Sequence, residues 1–234
     1  MEIEIVIPEN WHEVTLSKYL NFQKAIKAYE GEEQFANKII DQAVFYICGV
    51  GADVLHKMPA ETFMTIQQAV VKLISSPKNE VLVRSFELGD RKYGFIPSLD
   101  DISYGEYVDL VELSKDTWGN IAEMLSILYR PITNESGDKY QIAEYTSTHP
   151  DQVQLFQDKL TMDIVFGAIS FFLRLQTDLL KGTLAYSMLN PMKTKMTKEE
   201  RLQISKALTE SGVSIQQLQY WLTTILQNLT SSPN

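Results

Sequence analysis

Apolar side chains recur at intervals of three and four residues over most of the chain, which is the pattern of amphipathic helices. The first predicted helix begins after Thr15, a residue type that caps helix N-termini, and ends at Gly31. A second helix follows it, and a third begins after Pro59. From Ser103 onward the pattern stays helical, and Ser103 and Glu106 have the spacing of a capping box.

Two short regions have the pattern of strands instead. Residues 2–7, EIEIVI, alternate Glu and Ile before turning fully apolar, and they predict a strand that stops at Pro8. Residues 81–88 and 91–96 are rich in β-branched and aromatic side chains around a Gly-Asp turn, which predicts a hairpin. Because an isolated hairpin is marginally stable in water, we expect the N-terminal strand to pair with it.

Together these elements predict a mainly helical α+β fold, a multi-helix bundle with a small antiparallel sheet on one side. The length of 234 residues fits a single domain. In this interpretation residues 1–101 supply helices and the sheet, residues 102–182 form a helical core, and residues 183–234 form C-terminal helices. The polar stretch TNESGDKYQ, residues 133–141, is interpreted as a loop within that core. Residues 161–182 are apolar on nearly all sides, so this helix is expected at the centre.

The composition and net charge disfavour some classes of partner and some cellular compartments. The net charge of −9 repels nucleic acid phosphates, and the basic run at residues 191–201 is interrupted by glutamates, so nucleic acid is a disfavoured partner. The longest apolar stretch, residues 164–173, is about half the length of a membrane span, and no targeting segment is present at the N-terminus. A single cysteine, Cys48, excludes a disulfide within the chain and favours a reducing, intracellular compartment.

The sequence contains no catalytic, cofactor or metal signature. His12, His56 and His149 stand far apart, so a metal site would need three distant segments to converge. Gly49-Val50-Gly51 lacks the third glycine of a dinucleotide loop, and no Gly-x-Ser-x-Gly nucleophile elbow is present. Cys48 lies in an apolar run without a neighbouring cation, which predicts a buried and unreactive thiol. We therefore expect a protein that is not an enzyme and has no cofactor.

A strict apolar seam runs along the last predicted helix, at alternating spacings of three and four residues and with Trp221 beside it. Few charges cover the other sides of this helix. Two interpretations stay open: the helix packs on its own domain, or it binds a partner chain, which includes a homo-oligomer. On the second interpretation the candidate partner-binding residues are Ile215, Leu218, Trp221, Leu222, Ile225 and Leu229.

A charged residue and a proline, Arg130-Pro131, end the apolar helical segment AEMLSILY. Pro131 disfavours helical geometry at Arg130, so the helix ends there and leaves carbonyl groups without intrahelical partners. A guanidinium at this place can bind those carbonyls or pair with a carboxylate, for which Asp109, Glu112 and Glu144 are candidates. We interpret Arg130 as a structural clamp between the helix and the following loop; the alternative is a phosphate or carboxylate ligand for Arg130.

Three segments within residues 102–180 resemble a group of proteins from tailed bacteriophages. They are ISYGEYVDLVELSKDTWGNIAEMLSILYRPI, KYQIAEYTSTHPD and MDIVFGAISFFLRLQTDLL, and the opening VTLSKYLNFQKA extends the resemblance toward the N-terminus. The most specific positions are Tyr107, Asp109, Lys115, Asp116, Trp118, Leu128-Tyr129-Arg130-Pro131-Ile132, Tyr140 and Tyr145. The group comprises tail assembly chaperone-like and virion proteins, including those of phages that infect gut Bacteroidetes. Residues beyond about 183 lie outside the resemblance.

The resemblance implies a non-enzymatic protein that binds other phage structural proteins during virion or tail assembly in the host cytoplasm. An alternative is a virion component that is packaged in the capsid or held at the portal and ejected with the genome. A third possibility, from the residues alone, is an enzyme on a helical scaffold with Arg130 as an anion clamp. The resemblance supplies no catalytic residues.

Overall fold

Helices and a small sheet follow one another along the chain. The structure, a computed structural model, describes residues 5–31, 35–98, 102–137 and 139–172, together with positions 174, 197, 199 and 202. The helices are α1 (Leu16–Lys27), α2 (Phe35–Tyr46), α3 (Ala52–Leu55), α4 (Ala60–Ser75), α5 (Tyr104–Leu113), α6 (Ile121–Leu128), α7 (Pro150–Lys159) and α8 (residues 162–172). Short 3₁₀ helices lie at Trp11–Glu13 and Ser114–Asp116. The strands are β1 (Ser85–Leu88), β2 (Arg91–Phe95), β3 (Tyr129–Ser136) and β4 (Lys139–Ile142).

The predicted mainly helical α+β fold is confirmed, and several helix boundaries follow the signals in the sequence. Helix α4 begins directly after Pro59, and α1 begins after Thr15, although the Thr15 side chain makes no capping hydrogen bond. The capping box at the start of α5 is complete: Glu106 N–H donates to Ser103 Oγ (3.3 Å), and Ser103 N–H donates to Glu106 Oε2 (2.7 Å). The start of α5 is therefore fixed by its own side chains.

The four strands form one antiparallel sheet in the order β1-β2-β3-β4. Strands β1 and β2 form the hairpin predicted near residues 81–96, although β1 begins only at Ser85. Two-residue turns join β1 to β2 and β3 to β4, and each begins with a glycine of positive φ, Gly89 (66°) and Gly137 (60°). Glycine is favoured there because this backbone conformation is strained for other residues.

The prediction of an N-terminal strand as the third partner of this hairpin is wrong. Residues 5–7 belong to no strand, and residues 1–4 lie outside the described residues. The third strand is β3, in which Tyr129 is paired with Phe95 of β2. The interpretation of residues 133–141 as a loop is also wrong, because residues 133–136 lie in β3 and residues 139–141 lie in β4. Strand β3 continues directly from α6, and residues 96–128, which include α5 and α6, connect it to the hairpin.

The core lies where the helices meet the sheet, and aromatic rings occupy much of it. On the helical side Trp11, Tyr19 and Phe166 contact one another edge to face, with ring centroids 5.2–5.8 Å apart. Beneath the sheet, the Phe156 ring of α7 packs edge to face on Tyr93, with centroids 5.0 Å apart. The described part of α8 contributes the buried residues Met162, Ile164, Val165, Phe166 and Ala168. Within the described part of the chain, no helix is both long and apolar enough to cross a membrane.

Candidate interaction surface on helix α5

Helix α5 differs from an ordinary surface helix, because it buries a charged residue and exposes several apolar ones. Glu106 and Leu110 face the interior and are almost fully buried. The side exposed to solvent carries four large apolar residues at helical spacing: Tyr104 (83% exposed), Tyr107 (48%), Val108 (41%) and Val111 (42%). We call these four residues the α5 stripe. Apolar side chains that line up on the exposed face of a helix are typical of a surface that contacts another molecule.

Elsewhere among the described residues, exposed large apolar side chains are more scattered. Val6, Phe45, Val81, Trp118 and Leu202 are each far from the others in sequence, and Met64 and Val71 lie two turns apart on α4. Single exposed apolar residues are normal on protein surfaces and need no explanation. The α5 stripe differs because four such residues fall on one face within two helical turns.

An acidic edge flanks the stripe on the side of Val108. Glu112 follows Val108 by one helical turn, and its carboxylate pairs with Lys115 Nζ at 2.5 Å. Asp109 lies on the same side, and its Oδ2 accepts a hydrogen bond from Tyr145 Oη at 2.5 Å. Both Glu112 and Lys115 are mostly exposed, so this ion pair exchanges readily with other partners.

Behind the stripe, a buried ion pair joins α5 to the sheet. Arg130 Nη2 lies 2.6 Å from Glu106 Oε1, and the side chains are only 11% and 4% exposed. The two carboxylate oxygens of Glu106 therefore contact different groups. Oε2 completes the capping box with Ser103, and Oε1 faces the guanidinium of Arg130. Burial lowers the pKa of Arg130, and the charge of Glu106 opposes that shift. An arginine remains charged at any physiological pH, so the pair is ionic.

Glu106 was not among the carboxylates expected to pair with Arg130, which were Asp109, Glu112 and Glu144. The sequence assigns Glu106 to the helix cap, a role that occupies its carboxylate with the N-cap backbone N–H. Arg130 itself lies in β3 and not at the start of a loop. The carbonyl groups at the end of α6 are hydrogen-bonded by another residue. Gln152 Nε2 of α7 donates to the carbonyl oxygens of Tyr129 (2.8 Å) and Ser126 (3.2 Å).

Tyr145, in the segment after β4, completes the cluster around Arg130. Its ring centroid lies 5.9 Å from the guanidinium carbon, within the range of a cation–π contact. Its hydroxyl donates to Asp109, and burial raises its pKa. Glu106 and Asp109 are three residues apart on α5, so Arg130 contacts the buried side of this helix and Tyr145 contacts its acidic edge. The arrangement fixes the orientation in which α5 presents the stripe.

The polar cluster leaves little room for a small ligand. An anion approaching Arg130 would compete with the Glu106 carboxylate, which already lies at contact distance. Arg130 Nε is buried and has no hydrogen-bond partner among the described residues. An anion at Arg130 would therefore have to reach a guanidinium that is largely shielded from solvent.

The other candidate residues lie apart from α5 or outside the described chain. Cys48 is buried just after α2, and burial raises the pKa of its thiol to about 11. His12, His56 and His149 are exposed, and within the described ranges no group of three His, Cys, Asp or Glu residues could hold a metal ion. The predicted seam, Ile215, Leu218, Trp221, Leu222, Ile225 and Leu229, lies outside the described residues.

The two most clearly formed concavities of the described region do not gather charged groups. Between α6 and α8 a cavity of about 20 Å³ has room for about one water molecule and is lined by Thr117, Ile121, Met124, Leu125, Leu128, Ala168, Ile169 and Phe172. An open depression along β4 has Glu144 as its single charged lining residue. The first is too small for a cofactor, and the second is an open depression and not the largely apolar cleft that buries most ligands.

The sequence contained a signal for the stripe that the periodicity argument did not use. Apolar residues occupy both Leu110, on the buried side, and Val108 and Val111, on the exposed side. Together they cover more of the helix circumference than one buried face requires. Periodicity alone does not say which apolar side turns inward, and the position of Glu106 was decisive only once its burial was visible.

No protein-family model, curated protein or solved structure matches the chain. Among the described residues, the α5 stripe is the feature that bears most directly on its function.

Proposed function

We propose that the protein is a non-enzymatic bacteriophage protein that binds other phage structural proteins during virion or tail assembly, in the manner of a tail assembly chaperone. The observation that carries the proposal is the α5 stripe, a row of exposed apolar side chains on a helix that buries its own glutamate. Aromatic and apolar residues at a helical spacing are the usual anchors of helix-mediated protein contacts.

Binding would remove the stripe from water against an apolar face of the partner. A stable interface between two proteins buries about 800 Å² on each side, which is more than four side chains supply. A contact of this size is weak and transient, and this suits a chaperone because a chaperone has to release the protein it binds. The net charge of −9 favours solubility and opposes non-specific self-association while the stripe is uncovered.

The rigid setting of α5 supports this function. The buried pair between Glu106 and Arg130 holds the helix to the sheet from its inner side, and Tyr145 contacts Asp109 at its acidic edge. A surface that is already ordered loses less conformational entropy on binding, so more of the contact energy is retained as affinity. The predicted seam from Ile215 to Leu229 is a second proposed contact surface for phage structural proteins.

The test is affinity purification of the tagged full-length protein from host cells infected with the phage that encodes it. We expect phage structural proteins to co-purify with the wild type and to be lost from Val108→Asp. The matched control is Val81→Asp, which places the same charge on an isolated exposed valine and should leave co-purification unchanged. Equal co-purification of all three proteins, or none with the wild type, would exclude the proposal.

Mass spectrometry of purified phage particles separates the chaperone from the alternative virion component. A chaperone is abundant in the infected cytoplasm and absent from finished particles. A fixed number of copies in every particle would instead assign the protein to the virion, either in the capsid or at the portal. Both outcomes concern a non-enzymatic phage protein, and the α5 stripe serves as a contact surface in each.

A further inference from the structure

Along the exposed side of α5, negative charges outnumber positive ones. Within α5 and the 3₁₀ turn that follows it, the exposed charged residues are Asp109, Glu112, Lys115 and Asp116, three acids and one base. Glu106, the remaining acid of α5, is buried and paired with Arg130. The acidic edge of the α5 stripe therefore has a net negative charge, and the whole chain carries −9.

The exposed carboxylate of Asp109 keeps one oxygen for another partner. Its Oδ2 accepts from the Tyr145 hydroxyl, and among the described residues nothing donates a hydrogen bond to its Oδ1. Gly105 lies one turn before it on the same side of the helix, and a Cβ at Gly105 would meet nothing within 4 Å. A long cationic side chain can therefore lie along this side of α5 and reach Asp109.

Glu112 forms an ion pair within its own segment, and this pair is open to exchange. The side chains of Glu112 and Lys115 are 69% and 68% exposed. An ion pair that is surrounded by water gains little from staying closed. A cation of an incoming molecule can therefore take the place of Lys115 beside Glu112.

A helix is the partner element that fits the stripe. Its four apolar residues stand at intervals of three and four positions and form a ridge along α5. Ridges of this kind fit into the grooves between the side chains of another helix. At a helical rise of about 1.5 Å per residue, the stripe is about 10 Å long, which is about two turns of such a helix.

We propose that the α5 stripe binds an amphipathic helix of a phage structural protein in which Lys or Arg side chains border one side of the apolar face. This inference rests on the proposed function, to which it adds the chemistry of the partner. The apolar residues of that helix cover the stripe, and its cationic residues face Asp109 and Glu112. Only one side of the partner helix has to be basic, because the other side of the stripe leads to the buried Leu110.

Charge disfavours a second copy of the chain as the occupant. Two α5 helices packed on each other would bring two acidic edges together, on molecules that each carry −9. Like charges placed opposite each other at an interface oppose binding. The same acidic edge attracts a cationic helix.

The charged and the apolar residues have separate roles in this contact. Exposed ion pairs add little affinity, so burial of the stripe supplies most of the binding energy. Complementary charges at the rim of an interface raise the association rate and disfavour partners of the wrong charge. Asp109 and Glu112 therefore select among the helices that the stripe would otherwise bind.

An NMR titration of the isolated, ¹⁵N-labelled full-length protein with two synthetic helical peptides tests the inference. Both peptides have the same leucine face, and the residues beside it are Lys in the first peptide and Gln in the second. We expect both to shift the amide signals of α5. The Lys peptide should bind about threefold to tenfold more tightly at low salt, as two exposed charge pairs provide. High salt should remove this difference.

Two double variants of equal net charge separate the acidic edge from the charge of the whole molecule. Asp109→Asn with Glu112→Gln removes both charges and keeps an oxygen that accepts from Tyr145, so the Lys and Gln peptides should bind it equally. The control, Glu61→Gln with Asp158→Asn, neutralises exposed acids on α4 and α7. It should retain the wild-type preference for the Lys peptide.

A further variant tests the apolar part of the contact. Val108→Ser shortens an exposed side chain of the stripe without adding charge. It should weaken the binding of both peptides by a similar factor. Unchanged binding of both peptides to Val108→Ser would show that they do not contact the stripe.

The remaining outcomes also overturn the inference. Equal affinity of the two peptides for the wild type, or tighter binding of the Gln peptide, would show that the acidic edge does not select cations. A preference for Lys that persists in the variant of Asp109 and Glu112 would come from the net charge of the molecule. Shifts confined to other elements, or no binding, would exclude a basic helix as the occupant of the stripe.

The peptide titration and the test of the proposed function fail separately. The titration uses no phage protein, so it can succeed although nothing co-purifies from infected cells. Phage proteins that co-purify with the wild type and are lost from Val108→Asp would support the proposed function even if the two peptides bound equally. In that case the partner would contact the stripe without using the acidic edge.

Discussion

Glu106 holds the start of its own helix with one carboxylate oxygen and faces Arg130 of the neighbouring strand with the other. The residue thereby joins a local helix cap to a contact between two elements that are 24 positions apart in sequence. Because the helix turns this charged residue inward, its apolar residues are left outside. The exposed α5 stripe and the buried ion pair behind it therefore follow from the same orientation of α5.

Loss of the buried ion pair should destabilise the fold strongly. Arg130→Met leaves the Glu106 carboxylate buried without a counter-charge, and we expect a loss of about 3–5 kcal/mol in the free energy of unfolding. Glu106→Gln keeps a side chain that can complete the capping box but removes the charge. The double variant should recover part of the loss, because neither charge is then left alone.

Urea denaturation of the two single variants and the double variant measures this coupling. Glu112→Gln is the matched control, since it breaks an ion pair that is mostly exposed on the same helix and should cost less than about 1 kcal/mol. If Arg130→Met were no more destabilising than Glu112→Gln, the buried pair would not hold α5 in place.

Gly94 should be intolerant of even one methyl group. A Cβ at this position of β2 would lie 2.5 Å from Cε2 of the Tyr140 ring, which packs across the strand. The Tyr140 hydroxyl also lies 2.8 Å from the carbonyl oxygen of Phe95 and cannot shift without losing that hydrogen bond. We expect Gly94→Ala to lower the free energy of unfolding by about 1–3 kcal/mol.

The chain offers a matched control for that substitution in Gly105, which is exposed on α5. A Cβ there meets nothing within 4 Å, and alanine has the higher helix propensity. Gly105→Ala should therefore raise stability by up to about 1 kcal/mol in the same denaturation experiment. Equal effects of the two substitutions would show that Tyr140 does not pack on Gly94.

Alkaline pH should destabilise the protein through its buried tyrosines. Burial raises the pKa of Tyr129, whose hydroxyl donates to the carbonyl oxygen of Val83 at 2.7 Å. Because the folded pKa lies above the unfolded value of about 10, the stabilisation is complete below that pH and is lost as the pH rises through the folded pKa. Denaturation from pH 8 to pH 11.5 should show this fall, and Tyr129→Phe should make it shallower. An unchanged slope in Tyr129→Phe would assign the effect to other groups.

Cys48 should react slowly with thiol reagents in the folded protein. Its side chain is buried, and its pKa of about 11 leaves only about one thiol in a thousand ionised at pH 8. A chromogenic disulfide reagent should modify it at least about a hundredfold more slowly in buffer than in denaturant. A rate in buffer close to that in denaturant would mean that the region around the end of α2 opens frequently.

The helices and the first hairpin could be predicted because their signals are local. The three-and-four periodicity, Ser103 with Glu106, and Gly89 between two β-rich runs all act within a few residues. The second hairpin has the same signal, since Gly137-Asp138 stands where Gly89-Asp90 stands in the first. Its polar composition predicts a loop, and polarity does not distinguish a loop from exposed strands. In the structure the carbonyl oxygen of Pro131 in β3 accepts from Ala143 N–H at 2.9 Å.

The candidate site was harder to predict, because it depends on which side of α5 turns inward. That choice is made by Arg130, which lies in another element and reaches Glu106 only in the folded chain. The sequence correctly showed that Arg130 follows an apolar helix, but its candidate carboxylates did not include Glu106. It could not rank those carboxylates, since their distances depend on the sheet that β3 forms with the hairpin.

Helix α6 passes into β3 between Leu128 and Tyr129 without an intervening loop, and Arg130 is the next residue. A displacement of α5 would therefore be transmitted through the Arg130 guanidinium to a continuous backbone segment that belongs to both α6 and β3. No loop separates α6 from β3 at this point. Movement of α5 would therefore affect the helices and the sheet together.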